Sequence, residues 1–477
     1  MTETVPVETD ESAVLAALPP KASGFVVIAA LCFSGMSVAL MQTLVIPIQT
    51  QLPGYLHTTA ANASWVVTAT LLGAAVAMPI AGRLADLFGK QRVLVGSAVL
   101  MLVGSVVCAL SSSLLPVLAG RTLQGLAMGF IPVGISLIRE AVPAEMAATG
   151  IAAMSATLGV GGAIGLPLAA WIAGSHDWHT LFWVAAGMAV LVLLASVFLL
   201  PHIHDGHSGT FDVGGAIGLA IGLVSVLVGV SKGNDWGWAS TETIGALVLG
   251  VVVLLVWGRY ELAQSQPLCD LRVTARRPVL LTNVAAIAVG FGMMAQAIVF
   301  PQLLQIPEET GYGMGQSVLH AGLWMAPGGL MMLFFAPVSS RLIRTLGAKF
   351  ALAIGATVLG LGYLVSFFLI SAPWEILIAS SVCSAGVGIG YAAMPTLIMD
   401  AVPSQEAGSA VGINGLMRSV GTTVAAAVMA ALLTAQLSSF GLPTEGAFKL
   451  CFVVAACAAF LGAALALTIP IDAKQQA

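Results

Sequence analysis

Charge is scarce in this chain. Only 8% of its 477 residues are Asp, Glu, Lys or Arg, while 58% are hydrophobic. A soluble fold of this size could not cover its surface with so few polar residues. With most of the chain expected to meet lipid, the net charge of −4 carries little meaning, and no nucleic-acid partner is expected. Cysteine is sparse too. Cys32, Cys108, Cys383, Cys451 and Cys457 fall in apolar stretches and Cys269 between two of them, so neither a disulfide framework nor a metal-type spacing is present. No glycine loop ends in Gly-Lys-Ser/Thr, which argues against ATP as a power source. The start, Thr2 to Glu11, is acidic, so a cleaved signal peptide is not expected and the first apolar stretch should remain. Most telling, no acid lies well inside an apolar stretch: Glu140, Asp400 and Glu375 sit at ends, and Asp212 at a start.

Long apolar runs are what the chain does have. A membrane-spanning helix needs roughly 20 mostly apolar residues, because the hydrocarbon core is about 30 Å thick and a helix rises about 1.5 Å per residue. Fourteen stretches qualify: 24–48, 64–82, 93–111, 114–137, 147–173, 180–200, 212–230, 243–259, 279–300, 317–338, 350–370, 375–399, 409–434 and 447–469. An even number of spans places both termini on one side. That side carries thirteen cations: Lys21, Arg83, Lys90, Arg92, Arg139, Arg259, Arg272, Arg276, Arg277, Arg341, Arg344, Lys349 and Lys474. The other carries only Lys232 and Lys449. The positive-inside rule therefore makes both termini cytoplasmic, in a multi-pass protein of the cell membrane.

The chain also repeats itself. Arg139-Glu140-Ala141-Val142-Pro143 after span 4 is echoed by Met399-Asp400-Ala401-Val402-Pro403 after span 12. Arg83-Leu84 with Gly89 is echoed by Arg341-Leu342 with Gly347, again about 260 residues later. Parallel six-helix repeats are a build of transporters that rock two halves about a central site. The expected organisation is a tail 1–23, a six-helix bundle 24–200, an inserted helix pair with its flanking loops 201–278, a second bundle 279–469 and a tail 470–477. His202-Ile203-His204-Asp205-Gly206-His207 before the insertion reads as a solvated loop rather than a metal site. Gly214, Gly218 and Gly222 recur along span 7, a face suited to close packing against a bundle or a second protomer. Trp236 and Trp238 read as interfacial anchors.

After span 2 the chain reads Gly82-Arg83-Leu84-Ala85-Asp86-Leu87-Phe88-Gly89-Lys90-Gln91-Arg92. This resembles the signature loop between helices 2 and 3 of the major facilitator superfamily. The resemblance implies conformational gating by Gly82, Asp86, Gly89, Lys90 and Arg92, with Asp86 latched on the positive N-terminus of span 13. Arg121-Thr122-Leu123-Gln124-Gly125 in span 4 is similar to a second motif of that superfamily, and an intramembrane arginine needs a wet cavity or partners. Gly159, Gly161, Gly162, Gly165 and Pro167 in span 5 look like a degenerate form of the glycine-proline motif of antiporters, where glycines pack helices closely and proline bends them. With the inserted pair, the chain is most similar to the fourteen-span drug/proton antiporter family. That likeness implies an all-α integral membrane protein of major facilitator fold, and no enzyme. Asp177-Trp178 before span 6 and Asn414 with Arg418 in span 13 point the same way. One departure matters. That family often carries an aspartate in the first helix, and here Leu40-Met41-Gln42-Thr43-Leu44 has none.

Taken together, these features lead us to expect an exporter of hydrophobic or amphiphilic small molecules, driven by protons with no cofactor. Gln42, Arg121, Gln124, Gln296, Asn414 and Arg418 are the expected path residues, and His320 is a candidate proton carrier. Met293, Met294, Met325, Met331 and Met332 offer adaptable apolar surface. With Arg121 and Arg418 as the intramembrane charges, the cavity should favour anionic or neutral amphiphiles. A lipid or organic-acid transporter is the alternative. A membrane sensor or scaffold would need an appended domain or a long soluble tail.

Overall fold

The computed structural model describes residues 23–49, 51–203, 209–438 and 441–470. Thr2 to Glu11, Lys21, His204, Asp205, Gly206, His207 and Lys474 lie outside them. Fourteen described helices are long and apolar enough to cross a bilayer: α1 Gly24–Ile48, α2 Ala60–Phe88, α3 Lys90–Ala109, α4 Leu114–Ala141, α5 Ala144–Ser175, α6 His179–Phe198, α7 Val213–Trp236, α8 Thr241–Ala263, α9 Arg277–Gln305, α10 Val318–Leu346, α11 Ala348–Phe368, α12 Pro373–Ala401, α13 Ala407–Ala435 and α14 Glu445–Leu467. Their number matches the fourteen apolar stretches. The protein is an all-helical, multi-span membrane protein.

Several helices outrun their apolar stretches. Hydropathy fades at the membrane edge, whereas backbone hydrogen bonding continues until a residue breaks it. The expected loop after span 2 is therefore mostly helix. α2 runs to Phe88, α3 starts at Lys90, and the turn is Gly89 alone, at φ 95° and ψ 137°. Its echo Gly347 ends α10 at φ 89° and ψ 157°. Both positions favour glycine because a side chain is strained at positive φ. α8 likewise extends to Ala263, bringing Glu261 into the helix.

Two large apolar cores form, one mainly from α1–α6 and one mainly from α9–α14. A third, small cluster joins α7, through Ala216, Leu219, Leu223 and Leu227, to Ala75 of α2 and to Ile413 and Leu416 of α13. The halves meet along two seams. At one, Met78 and Gly82 of α2 face Gly408, Gly412 and Gly415 of α13. At the other, Gly159, Ala163 and Pro167 of α5 face Met332, Gly329 and Gly322 of α10. α7 lies against the α2/α13 seam, and α8 packs on α7. The glycine face of α7 docks on neither a bundle nor a second protomer. Gly214 meets the Tyr260 hydroxyl, Gly218 meets Trp257, and Gly222 meets Leu254, all on α8.

Candidate functional site

The cation-rich ends of the helices hold the contacts that tie one half to the other. A methyl group at Gly82 would overlap the Gly408 carbonyl, so only glycine lets α2 and α13 approach this closely. That approach carries Asp86, one turn on, to the first turn of α13. The Gly408 N–H donates to Asp86 Oδ1 at 3.0 Å and the Ser409 N–H donates to Oδ2 at 2.8 Å. Two backbone donors at the positive end of a long helix make a strong anchor for a carboxylate. Asp86 is buried at 8% exposure, so water does not screen the contact. Lys90, equally buried, pairs with Glu140 at the end of α4. Arg92 is exposed. Arg139 and Asp400, the paired ends of the two repeats, meet across the halves at 3.4 Å, both well exposed.

Arg83 lines a crevice of about 150 Å³ together with Gln266, Asp270, Glu406 and Ser409. Burial, with Asp270 alongside, pushes the Glu406 carboxyl above its ordinary range, while Arg83 and Arg276 pull it back. Gln91 is a residue that sequence reasoning passed over. Its amide donates to the carbonyls of Ser196, Val197 and Leu200, capping the end of α6, and its oxygen meets His202 Nδ1 at 2.7 Å.

Deeper in the first half, Arg121 is 1% exposed. Its Nε donates to the Val66 carbonyl at 3.2 Å, and Nη1 donates to the Met41 carbonyl and to Gln124 Oε1. Gln124 passes the network on to Ser105 Oγ at 2.9 Å. In this conformation the guanidinium thus knits α1, α2, α3 and α4 together and faces protein atoms. Gln42 is half-buried on α1. Gly161 and Gly165 of α5 press on α1, Gly159 and Pro167 on α10, and Gly162 faces open space.

The second half has its own buried network. The Asn414 amide donates to Asn283 Oδ1 at 3.0 Å, and Arg418 Nη1 donates to Asn414 Oδ1 at 2.8 Å. The Arg418 guanidinium lies 4.3 Å from the centre of the Tyr391 ring, a cation–π contact. Arg418 Nε and Asn283 Nδ2 are buried with no acceptor. Gln296, half-buried on α9, donates to Ser384 Oγ at 2.7 Å. Asn283 and Tyr391 carried no signal in the sequence, since their partners are remote in the chain. No hydrogen bond joins the Arg121 and Arg418 networks among the described residues. His320 is exposed on the first turn of α10, where Ser317 caps its N–H and meets its ring Nδ1 at 2.9 Å.

Comparison with known proteins agrees with this architecture. Residues 31–426 match the family model described as Major Facilitator Superfamily. The chain is 28% identical over 380 residues to "Multidrug resistance protein Stp" of Mycobacterium tuberculosis, covering 79% of this chain and 69% of that protein. It is 23% identical to "Multidrug transporter protein MdtP" of Bacillus subtilis, covering 78% of this chain and 69% of that protein. Among solved structures, the human organic anion transporter MFSD10 (TETRAN) superposes with a TM-score of 0.65 at 15% identity, over 94% of this chain and 100% of that one.

Proposed function

The chain belongs to the major facilitator superfamily, and we propose that it exports hydrophobic or amphiphilic small molecules by proton-coupled antiport. The observation that carries this reading is the bidentate contact of Asp86 with the start of α13. It is a bond between halves that can form on one face and break when that face opens, as alternating access requires. The names of Stp and MdtP support export of varied compounds. In this reading the cation-rich face is cytoplasmic, in keeping with the positive-inside rule. The structure then represents the state closed to the cytoplasm, with Gly82, Asp86, Gly89, Lys90 and Arg92 as the gate.

Gln42 and Gln296, half-buried on α1 and α9, offer hydrogen bonds to a substrate in the path. Arg121, Gln124, Asn414 and Arg418 set the polarity and shape of the walls around it. A second reading, transport of an organic acid, rests on Arg418 Nε and Asn283 Nδ2. Both are buried donors without acceptors, which a carboxylate or carbonyl oxygen would satisfy.

The deciding experiment is transport by purified protein in liposomes, with pH and voltage gradients imposed separately, across cationic, neutral and anionic amphiphiles. Antiport predicts that an inward proton gradient drives substrate out, and that dissipating the gradient abolishes net movement. Transport indifferent to the gradient, or movement of substrate in the same direction as protons, would overturn it. Activity confined to carboxylates would favour the second reading.

A further inference from the structure

Two carboxyl groups meet at the cation-rich end of the inserted helix pair. Asp212 caps α7: its Oδ1 accepts from the Gly215 N–H at 2.8 Å and from the Tyr260 hydroxyl at 3.1 Å. Glu261, on the last turn of α8, is 2% exposed, and its Oε2 accepts from the Cys269 N–H at 3.4 Å. One oxygen of each group is thereby engaged. The other two, Asp212 Oδ2 and Glu261 Oε1, are buried with no partner. Both lie closer than 3.0 Å to the point where a Cβ on Gly215 would sit, so they converge on the gap that this glycine leaves. Trp257 Nε1 donates to the Gly215 carbonyl at 2.8 Å and closes the gap from the α8 side.

Among the described residues nothing positive is at hand to neutralise them. Among the described residues neither carboxylate has an ion pair with lysine, arginine or histidine. Arg272 donates to the Leu262 carbonyl, Arg83 faces the crevice with Asp270 and Glu406, and Arg259 is exposed. The titratable groups that face the pair are Tyr260 from α8 and Cys269 from the following loop. Two ionised carboxylates in such a gap repel strongly, because little water screens them. A metal cation would require six or so oxygen ligands where two converge. One bound proton removes that repulsion at no further cost in ligands.

We propose that Asp212 and Glu261 form a proton-binding site in the inserted helix pair and that this site communicates with the Asp86 contact. The connection is short. Glu261 holds the N–H of Cys269, the adjacent Leu268 carbonyl accepts from Ser409 Oγ at 3.3 Å, and the Ser409 N–H donates to Asp86. With the proton bound, α7 and α8 stay together and the loop stays seated on α13. With the proton lost, repulsion drives the end of α8 from α7 and unseats that loop. The site itself stands independently of the export reading; only its link to gating rests on that reading.

Two near-isosteric variants keep the fold testable. Asp212→Asn retains a helix-capping oxygen, and Glu261→Gln retains an acceptor for Cys269. Infrared difference spectra of wild type against each variant, in light and heavy water, should show one protonated carboxyl band in the wild type that both single variants lose. Absence of that band at every pH at which the protein stays folded, or its survival in both variants, would overturn the site. Spin labels replacing Phe88, exposed at the end of α2, and Gln405, exposed in the turn just before α13, report the link. The wild-type distance should lengthen as pH rises, and Glu261→Gln should remove that response. An unchanged response would overturn the link. Gradient-driven transport in liposomes is scored apart from both. A band without gradient drive leaves the site and sinks the coupling, whereas gradient drive without a band does the reverse.

Discussion

Replacing Asp86 by Asn changes one heavy atom of the side chain and removes one of the two bonds that Asp86 makes to α13. In the wild type each carboxylate oxygen accepts a backbone N–H of α13, at 3.0 and 2.8 Å. The amide keeps one acceptor and turns an NH2 group toward the other donor. A hydrogen bond to a charged group is worth about 1.5–3 kcal/mol net, and the interaction with the helix N-terminus reaches about 2 kcal/mol when partly buried. The freed carboxylate of the wild type regains water when the face opens, so the lower end applies, about 1.5 kcal/mol. At 1.4 kcal/mol per factor of ten, the closed form should lose about tenfold in population. Folding and membrane expression should change little, because Asp86 bonds across the seam rather than within its own core. The assay pairs turnover in liposomes with the Phe88–Gln405 label distance. Turnover should fall and the distance distribution should move to longer values. Gly82→Ala should do the same without touching charge, since its methyl group overlaps the Gly408 carbonyl. Wild-type turnover together with a wild-type distance distribution in Asp86→Asn would refute the latch.

Arg121→Gln strands acceptors on α1, α2 and α4, at about 1–3 kcal/mol for each buried group left unpaired. Thermal unfolding should fall markedly and Arg121→Lys should fall less, with equal losses for both arguing that charge geometry is immaterial there. Lys232, 2% exposed, donates to Ser64 and to Asp235 and sits 5.0 Å from the centre of the Trp65 ring. Lys232→Met should loosen α7 from α2, read as a lower unfolding temperature, while the Asp86 contact persists; an unchanged unfolding temperature would count against that role. For Glu406, the native state favours the protonated form because burial raises its pKa. Its contribution to stability is therefore present at low pH and lost as pH rises through the raised value. Glu406→Gln should raise the unfolding temperature at alkaline pH relative to wild type and change it little in acid, and a shift of equal size at both would contradict the assignment.

How much of this was legible in the sequence depends on the distance over which each feature is determined. The fourteen spans are local, since each follows from some twenty consecutive residues meeting lipid. The short echoes about 260 residues apart were legible, and Gly89 and Gly347 do end their helices at similar backbone angles. Helix ends were less legible. Hydropathy placed the end of span 8 at 259, and so left Glu261 in a loop, although helical hydrogen bonds carry it onward to Ala263. Partners across the fold were hidden altogether. Asn414 and Arg418 stood out as polar residues in an apolar helix, but nothing near them in the chain points to Asn283 or Tyr391. The glycine face of α7 announced close packing without naming its partner, because the Trp257 and Leu254 that fill it are ordinary residues of a lipid-facing helix.

The two seams between the halves differ in a way that bears on how such a molecule would move. Along α2/α13 the contacts are largely backbone against backbone: Gly82 on Gly408, and the Met78 carbonyl on Gly412. Parting there forfeits close van der Waals contact along the glycine face, and the charged Asp86 contact adds to what must be released. Among the described residues, the hydrogen bond at the equivalent place on the α5/α10 seam joins the hydroxyls of Thr149 and Ser340, 3.5 Å apart, and the sequence echo puts Arg344 where Asp86 stands. The latch is thus confined to one seam, the same seam that α7 overlies. At the far end of that seam Lys232 grips Ser64 of α2, while Asn234 donates to the Ala427 carbonyl of α13 at 3.0 Å. If α7 holds that end while Asp86 releases the other, α2 and α13 must separate as a wedge rather than in parallel. Labels near Ser64 and Ala427 should then move far less than labels at Phe88 and Gln405, and equal displacement at both ends would show that α7 rides with one half instead of clasping both.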